Sequence, residues 1–370
     1  MRKIAKQIHY NIDNLLYGEN TKDGNYYLIY GEKSNGKSYQ AKTKLEIGHY
    51  IKTHMKFILM RRWKDDLSSL WLEKYFEDID VESLTDGKYN TINCWRGKIY
   101  LANTIDEDGE LKVNRGEVCG YYIALSTEQH YSSSSFLDVD VIVFEEFMER
   151  GMYIKNEVMK LEAFYSTVDR KRGTTKMFLI GNTITRINPY INEWKLFETF
   201  KRLKQGQITS IIMHKEGNDI LDETNIKICI EYCRASGGKQ MSISSNMIDK
   251  GNWSAEPQPH LPKSKKDYRV LFRCVFDFKN MRYLCELLTD EKNIFWFIFP
   301  KYTPIKPKTI VISDKISTSK YYLRSPYEIV TIDNKRIVNL LGMFRENNIF
   351  FSDDLTGTDF KNAIDFMIRK

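Results

Sequence analysis

Short runs of apolar residues alternate with helical stretches over the first part of the chain. Almost continuous apolar strands of this kind are typical of a parallel sheet that is covered on both faces. Two further apolar runs, 98–102 and 117–125, flank the Asp108-Gly109 turn and predict an antiparallel hairpin. We therefore predict one α/β domain with a mostly parallel sheet over residues 1–220. Its core strands are predicted at 26–30, 57–60, 139–144, 176–182 and 207–213.

The pattern changes after the fifth of these runs. Residues 221–235 are predicted to be helical, and the polar stretch 221–266 as a whole is predicted to be a linker or a small lid. Closely spaced apolar runs then predict an antiparallel meander, followed by helices at about 333–346 and 357–369. This order of elements indicates a smaller α+β domain over 267–370. Its strands are predicted at 270–276, 282–287, 294–299 and 309–312.

The stretch 31–38 reads Gly-x-x-x-x-Gly-Lys-Ser, and the rest of the chain is organised around it. It follows an apolar strand and precedes a good helix-forming segment. A strand–loop–helix unit places several backbone N–H groups and a helix N-terminus around one anion. In such a loop Lys37 reaches the β- and γ-phosphates, and the hydroxyl of Ser38 ligates Mg²⁺. The sequence therefore predicts ATP and Mg²⁺ as cofactors, with nucleotide contacts from Gly31, Asn35, Gly36, Lys37, Ser38 and Tyr39.

A pair of acids ends the third predicted core strand. The apolar residues 141–144 lead directly into Glu145 and Glu146. In nucleoside triphosphatases the first acid of such a pair holds the Mg²⁺ shell, and the second polarises the attacking water. The pair predicts ATP hydrolysis rather than small-molecule phosphorylation, because a kinase needs no activated water. Two surface acids after a buried strand are the simpler alternative.

A basic segment, 169–173, follows a predicted helix over about 156–168. Phosphoryl transfer needs a mobile cation, and Arg170 or Arg172 is predicted to supply it to a neighbouring subunit. A solvated basic loop is the alternative for both. Asn182, at the tip of the fourth core strand, is predicted to sense the γ-phosphate, with a capping or turn role as the alternative.

Composition narrows the class of protein. The chain has 370 residues, with 56 Lys and Arg against 49 Asp and Glu, and its net charge of +7 permits a nucleic-acid partner without requiring one. The six cysteines form no Cys-x-x-Cys pair, so we predict no zinc site. No apolar stretch reaches the roughly 18 residues needed to cross a bilayer, so we predict no membrane span.

Six short motifs follow one another along the chain. They are Gly-x-x-x-x-Gly-Lys-Ser-Tyr at 31–39, Phe-x-x-x-Arg-Arg-x-Lys at 57–64, Ile-Val-Phe-Glu-Glu-Phe at 142–147, Asn-Glu-Val at 156–158, Thr-Val-Asp-Arg-Lys-Arg at 167–172 and Asn-Pro-Tyr at 188–190. Together they resemble the φ29-type genome-packaging (encapsidation) ATPases of small tailed phages, among them a lactococcal-phage member. The resemblance covers the predicted ATPase domain well, and the C-terminal domain only through its strand pattern.

This resemblance implies a function and an assembly. It implies a P-loop (ASCE) NTPase fold and an ATP-driven translocase that packages double-stranded DNA into a viral procapsid. It also implies a homopentameric ring at the capsid portal, located in the host cytoplasm and absent from the mature virion, and it leaves the need for a packaging RNA open. The residues by themselves leave two alternatives: a cellular-type DNA translocase or helicase with the same core, and a P-loop kinase or nucleotide-dependent assembly protein.

The resemblance also implies roles for individual residues. Arg170 is implied to act in trans, Arg61 to restrain the catalytic glutamate, and Lys64 to lie near the subunit interface. Members of the group carry Asp at position 145, so Glu145 departs from their pattern. The residues implied to form the site within one subunit are Lys37, Ser38, Glu145 and Glu146.

The C-terminal domain is implied to resemble RNase H-like nucleases that have lost their metal site. An active site of that kind needs about three carboxylates that converge on two metals. The acids offered by this region form no compact set, so we predict a vestigial domain without nuclease activity. These acids are Asp277, Glu286, Asp353, Asp354 and Asp359. Lysines that would suit sequence-independent contacts with DNA phosphates are Lys263, Lys265, Lys266, Lys301, Lys306 and Lys308.

Overall fold

The computed structural model divides the chain into two compact units. The first contains residues Met1–Ile184 and Arg202–Asn252, and the second contains Thr185–Lys201 and Trp253–Lys370. The structure describes residues 10–33, 35–107, 110–149, 153–183, 187–214, 225–234, 257–278, 281–315, 317–323, 330–332, 335–337, 344 and 348–368.

The described residues of the first unit form nine strands. They are β1 (Tyr26–Gly31), β2 (Lys56–Arg61), β3 (Thr91–Trp95), β4 (Lys98–Glu107), β5 (Glu110–Ala124), β6 (Val139–Glu145), β7 (Lys176–Asn182), β8 (Ile208–His214) and β9 (Asn225–Tyr232). They form one sheet in the order β3-β4-β5-β2-β6-β7-β1-β9-β8. The six strands from β5 to β9 in this order run parallel to one another, whereas β3, β4 and β8 pair antiparallel with their neighbours. The predicted mostly parallel sheet, its five core strands and the hairpin are confirmed.

Burial on both faces explains why the central strands read as continuous apolar runs. Every residue of β1 is buried, as are residues 57–60 of β2. The carboxyl ends of neighbouring parallel strands meet at one edge of a sheet, and ligands of open α/β sheets bind outside that edge. At this edge Gly31 pairs with Asn182, and Glu145 pairs with Ile180. The sheet therefore brings the loop at 31–38 and the acid pair to the same side of the molecule.

Helices connect the strands of the first unit. The predicted helix after the loop at 31–38 is present but irregular, because a π-helical segment, Ala41–Glu46, separates its two α-helical parts. The predicted helix over about 156–168 is confirmed. The α-helices are α1 (Asp13–Tyr17), α2 (Lys37–Gln40), α3 (Ile47–Thr53), α4 (Ser69–Phe76), α5 (Val81–Leu84) and α6 (Glu157–Asp169), and Lys64–Leu67 and Leu125–Tyr131 form 3₁₀ helices.

Residues 225–232 form a strand rather than the predicted helix. This strand, β9, lies between β1 and β8 and runs parallel to β1. Isoleucine recurs at every second position from Ile226 to Ile230, and β-branched residues with a period of two favour a strand. The predicted linker over 221–266 is therefore wrong at this strand, which belongs to the first unit. Residues 221–224 and 235–256 of that prediction lie outside the described part of the chain.

The second unit contains a six-stranded sheet. Its elements are β10 (Arg269–Phe278), β11 (Met281–Thr289), β12 (Ile294–Pro300), β13 (Ile310–Ser313), β14 (Tyr322–Leu323), a separate hairpin of β15 (Val330–Ile332) and β16 (Lys335–Ile337), and then β17 (Asn348–Phe351). The sheet order is β14-β13-β10-β11-β12-β17. Strands β10, β11 and β12 form the predicted antiparallel meander, whereas β13 pairs parallel with β10, β14 with β13, and β17 with β12.

The helices of the second unit differ partly from the prediction. The helix predicted at 357–369 is confirmed within α9, and its residue Phe360 packs in the core with Trp296. Of the helix predicted at 333–346, residues 335–337 form β16 instead, so this prediction is wrong there. The helices are α7 (Pro189–Glu193), α8 (Phe197–Arg202), α9 (Asp354–Ile368) and a 3₁₀ turn, Lys265–Asp267. None of the described helices is long and apolar enough to cross a membrane.

The segment 185–201 belongs to the second unit and not to the predicted 1–220 domain. Ile187 is buried in the core of the second sheet, and Phe197 packs against that core. These apolar contacts explain why the chain leaves the first unit after β7 and returns to it at Arg202.

Candidate nucleotide-binding site

A cavity of about 870 Å³ lies at the carboxyl edge of the first sheet. Gly36 has a φ of 94°, a left-handed conformation that glycine adopts at little cost, and helix α2 begins at the next residue. At Gly31 a Cβ would lie 2.9 Å from the Cβ of Cys233, so this position needs glycine for close packing rather than for lining the cavity. The predicted site residues that line the cavity are Asn35, Gly36, Lys37, Ser38, Tyr39, Glu145, Glu146 and Asn182.

The ammonium group of Lys37 is held by three oxygens of the protein. It donates to the carbonyl of Glu32 at 2.6 Å, to Oδ1 of Asn35 at 3.1 Å and to Oδ1 of Asn182 at 3.3 Å. The side chain is buried, and this burial lowers the pKa of Lys37. All three acceptors are neutral, so they orient the positive charge without cancelling it. The contact also places Asn182 beside the lysine, which is the position expected of a residue that senses a phosphate.

Ser38 and Glu145 meet at the cavity. The hydroxyl of Ser38 donates to Oε2 of Glu145 at 3.1 Å. Burial raises the pKa of Glu145, and the hydrogen bonds from Ser38 and Tyr75 oppose that shift. A hydroxyl next to a carboxylate is the kind of oxygen donor set that Mg²⁺ uses when substrate phosphates complete its shell. Among the described residues no group of three or more His, Cys, Asp or Glu could hold a metal ion.

A second buried carboxyl lies behind Glu145. The hydroxyl of Tyr75 is 2.8 Å from Oε1 of Glu46 and 3.2 Å from Oε1 of Glu145. Complete burial raises the pKa of Glu46 to about 8, so this group holds a proton at neutral pH. A hydroxyl has only one hydrogen to donate. If protonated Glu46 donates its hydrogen to the oxygen of Tyr75, the hydrogen of Tyr75 can be donated to Glu145. Sequence reasoning misses Glu46 and Tyr75, because their burial depends on the π-helical segment and on α4.

The carboxylate of Glu146 is held by an arginine. Glu146 follows β6 directly and has a φ of 60°, and its side chain is half exposed. Arg61, at the end of the neighbouring strand β2, donates to Oε2 of Glu146 at 2.9 Å. The guanidinium of Arg61 also lies 4.8 Å from the ring centroid of Trp71, which limits its motion. Arg61 therefore contacts the glutamate that it was predicted to restrain.

The two candidate arginines of the basic segment have different surroundings. Arg172 donates to five main-chain carbonyls at distances from 2.7 to 3.4 Å, those of Val139, Leu137, Val168, Asp169 and Phe136. Arg170 is exposed at the C-terminal cap of α6 and donates to the carbonyl of Ser134 at 2.8 Å. Neither arginine is among the residues that line the cavity, and Lys64 is exposed at the start of a 3₁₀ turn away from that lining. Arg172 therefore holds the loop through its main-chain contacts, whereas Arg170 is exposed and has one described hydrogen bond.

Two of the acids predicted in the second unit, Asp277 and Glu286, are each contacted by two cations. Asp277 accepts from Arg282 at 3.0 Å and lies 3.5 Å from the ammonium of Lys315. Glu286 contacts Arg273 at 2.8 Å and Lys265 at 2.6 Å, so this lysine of the predicted DNA-binding set already has a carboxylate partner.

Of the three other predicted acids, Asp359 is fully buried within α9, whereas Asp353 and Asp354 lie at the start of that helix. Asp353 accepts from the main-chain N–H of Thr356 at 2.8 Å. Asp354 accepts from the main-chain N–H of Gln258 at 2.8 Å and contacts His260. These are helix-end and loop contacts, as expected of acids in a first helical turn.

Comparison with known proteins assigns the chain to a family. The model of the podovirus DNA encapsidation protein family (Gp16) matches residues 4–353, which is almost the whole chain. The chain belongs to this family. The predicted resemblance and the predicted function in packaging DNA are thereby confirmed, whereas the likeness to a lactococcal-phage member stays a prediction.

This encapsidation protein is similar to DNA packaging proteins of Bacillus phages. It is 26% identical to that of Bacillus phage phi29 over 285 residues, 74% of each chain, and 29% identical to that of phage PZA over the same shares. The protein of phage B103 is 22% identical over 90% of this chain and 94% of its own length.

Two solved structures are also similar. The crystal structure of the N-terminal domain of the phi29 DNA packaging ATPase is 25% identical and covers 62% of this chain and 98% of that chain, with a TM-score of 0.44. The phi29 viral genome packaging motor assembly is 20% identical and covers 98% and 99%, with a TM-score of 0.49.

Proposed function

We propose that this encapsidation protein is an ATPase that uses ATP hydrolysis to drive double-stranded DNA into a viral procapsid. The observation that carries the proposal is the hydrogen bond between Ser38 and Glu145, which joins the phosphate-binding loop to the acid pair across 107 positions of sequence. Glu146, the next residue, lines the same cavity. A nucleotide's phosphates and an activated water can therefore meet at one place.

Each residue of the site would have its own role in phosphoryl transfer. The backbone of the loop and the ammonium of Lys37 would bind the β- and γ-phosphates, and Asn182, which shares a hydrogen bond with that ammonium, would report the presence of the γ-phosphate. Ser38 and Glu145 would hold Mg²⁺, whose charge would help to neutralise the phosphates. Glu146 would orient and polarise the attacking water, and its release from Arg61 would allow it to do so.

A cation for the transition state is proposed to come from the neighbouring subunit. Arg170 is exposed, makes one hydrogen bond to a main-chain carbonyl among its described contacts, and does not line the cavity of its own subunit. These features suit an arginine that acts in trans within a homopentameric ring, as the sequence resemblance implies. The ring would sit at the portal of the procapsid in the host cytoplasm and would leave before the virion matures; whether it needs a packaging RNA stays open.

The folds of the two units support this assignment. In the first sheet β7 lies between β1 and β6, so one strand separates the phosphate-loop strand from the acid-pair strand, as in the ASCE class of P-loop ATPases. The second sheet combines an antiparallel meander with parallel β13 and β14, an arrangement that resembles RNase H. We propose that the second unit is a vestigial nuclease domain that contacts DNA phosphates, because Asp277 and Glu286 are each bound by two cations.

The test is the substitution Glu146→Gln in the full chain. It keeps the shape of the side chain but removes the group that polarises water, so the variant should bind ATP normally and lose turnover by at least about 10²-fold. ATP binding and hydrolysis are measured with and without double-stranded DNA. Glu77→Gln, which changes an exposed acid paired with Lys74, is the matched control. Near-normal hydrolysis by the Glu146 variant, or a wild-type rate that DNA leaves unchanged, would count against the proposal.

A further inference from the structure

The main chain is strained where the acid pair ends. Glu146 has a φ of 60°, a left-handed conformation that non-glycine residues adopt only when the surroundings enforce it. On one side of the turn the N–H of Phe147 donates to the carbonyl of Ile180 on β7 at 3.1 Å. The main-chain carbonyls of the turn at 146–149 must also be held if Glu146 is to keep this conformation.

Arg62 holds those carbonyls. Its side chain is only 2% exposed, and it donates to the carbonyl of Glu146 at 3.2 Å and to that of Phe147 at 2.7 Å. It also forms an ion pair with the carboxylate of Glu149. Three of its contacts thus lie within the four residues 146–149, which form the segment that carries the candidate catalytic glutamate.

The same guanidinium is anchored to helix α6. Its Nε lies 3.0 and 2.9 Å from the two carboxylate oxygens of Glu157, the first residue of that helix. Glu157 is 1% exposed and also accepts from the main-chain N–H of Ile154 at 2.8 Å. A buried carboxylate with several donors has one orientation. Glu157 therefore fixes the Nε side of the Arg62 guanidinium. The ring of Tyr153, 4.6 Å from the guanidinium carbon, covers its face.

We propose that Arg62 is a positioning residue for Glu146. Its planar guanidinium ties the turn at 146–149 to Glu157 and thereby sets where the Glu146 carboxylate points. The proposal rests on the proposed catalytic role of Glu146. It assigns different tasks to two adjacent arginines: Arg61 holds the carboxylate of Glu146, and Arg62 holds its main chain. Arg62 does not line the cavity, so it acts through Glu146 and not on the nucleotide.

The first test is the substitution Arg62→Lys. Its control is Glu162→Gln, which changes an exposed acid of α6, the helix that carries Glu157. Lysine keeps the charge but lacks the planar fork that reaches two carbonyls and Glu157 at once. Because a misplacement of about 1 Å can cost about 10²-fold in rate, kcat should fall roughly 10- to 10²-fold while KM for ATP stays within about twofold. The rate is expressed per binding-competent subunit, counted by titration with a non-hydrolysable ATP analogue. An unchanged kcat, or a raised KM at unchanged kcat, overturns the proposal.

A second variant keeps the proposal testable if Arg62→Lys does not fold. Glu149→Gln removes the charge of one partner of Arg62. The side chain of Glu149 is 40% exposed, so this change leaves the core intact. It should lower kcat by a few-fold and leave ATP affinity unchanged. If Arg62→Lys yields no folded protein, an unchanged kcat of Glu149→Gln overturns the proposal.

A double variant separates this proposal from the proposed function. If Arg62 acts through Glu146, adding Arg62→Lys to Glu146→Gln should slow the residual turnover by less than about threefold, because the two effects are not additive. Multiplied effects would show that Arg62 acts independently, and would overturn the inference alone. Full turnover by Glu146→Gln would instead remove the proposed function on which the inference rests.

Discussion

Each of the two sheets buries a glutamate, and the neighbours of these glutamates are opposite in kind. Glu145 in the first unit is 4% exposed, and its described hydrogen-bond donors are two hydroxyls, those of Ser38 and Tyr75. Glu286 in the second unit is 2% exposed and is bound by Lys265 and Arg273. A carboxylate that two cations already neutralise has little to gain from a metal ion. One whose described donors are neutral hydroxyls is not neutralised in this way, so we expect Glu145 to serve chemistry in the first sheet and Glu286 to serve stability in the second.

The largest predicted effect concerns Arg170, the arginine that we propose a neighbouring subunit supplies to the first site. Arg170→Ala should lower ATP turnover by about 10³- to 10⁵-fold, the range known for arginines that act on a neighbouring site. ATP binding to the variant should be unchanged, since Arg170 is not among the residues that line the cavity. The measurement is steady-state hydrolysis in the presence of double-stranded DNA. Arg172→Ala would test the loop instead, because it removes five hydrogen bonds to main-chain carbonyls and should lower the melting temperature.

Mixing variant subunits shows whether this cation comes from a neighbour. Subunits carrying Arg170→Ala keep an intact phosphate loop, and subunits carrying Lys37→Ala keep an intact arginine. Interfaces that combine the intact parts should regain activity. If every mixture shows only the sum of its inactive parents, the action of Arg170 in trans is refuted.

The next effect compares the two buried glutamates directly. Glu145→Gln should lower kcat by roughly 10²-fold or more, because charge stabilisation by a held metal ion is worth several kcal/mol. Glu286→Gln makes the same chemical change and should leave hydrolysis per folded subunit unchanged. It should cost about 1 kcal/mol of unfolding free energy, a small amount because both cations are 40% exposed or more and regain water. Equal losses of kcat in the two variants would remove the distinction drawn between the two sheets.

The smallest effect is a pH dependence of stability. Burial raises the pKa of Glu46 to about 8 in the folded protein, whereas the carboxyl has an ordinary pKa near 4.5 when exposed. The folded state therefore holds this proton more tightly, so the contribution of Glu46 to unfolding free energy is fully present below about pH 4.5 and is lost as the pH rises through 8. Glu46→Gln stays neutral, so its melting temperature should gain on that of the wild type between pH 5 and pH 9. A difference that does not change with pH would show that Glu46 is ionised in the folded protein.

Much of the first site follows from local sequence, because its residues are attached to regular elements. The loop at 31–38 and the pair Glu145 and Glu146 each follow a buried apolar strand, and parallel pairing alone places the ends of such strands together. The strand at 225–232 is not recognised from its sequence because Lys227 and Glu231 interrupt its apolar run. Its place between β1 and β8 explains why its other residues are buried from Ile228 onward.

The supporting residues of the site could not be predicted, because their roles depend on contacts between distant segments. Arg62 is indistinguishable from Arg61 in sequence, yet one is buried against the turn at 146–149 and the other faces the carboxylate of Glu146. The partnership of Glu46 with Tyr75 spans 29 positions and depends on a π-helical segment that no local pattern announces.

We propose that hydrolysis at Glu146 drives DNA into a capsid. The most direct test combines the purified protein with procapsids, double-stranded DNA and ATP, and measures the DNA that becomes protected from nuclease. Wild-type protein and Glu77→Gln should protect DNA only when ATP is present, and Glu146→Gln should protect none although it still binds ATP. Protection by Glu146→Gln at the wild-type level, or protection without ATP, would show that hydrolysis at Glu146 does not drive packaging.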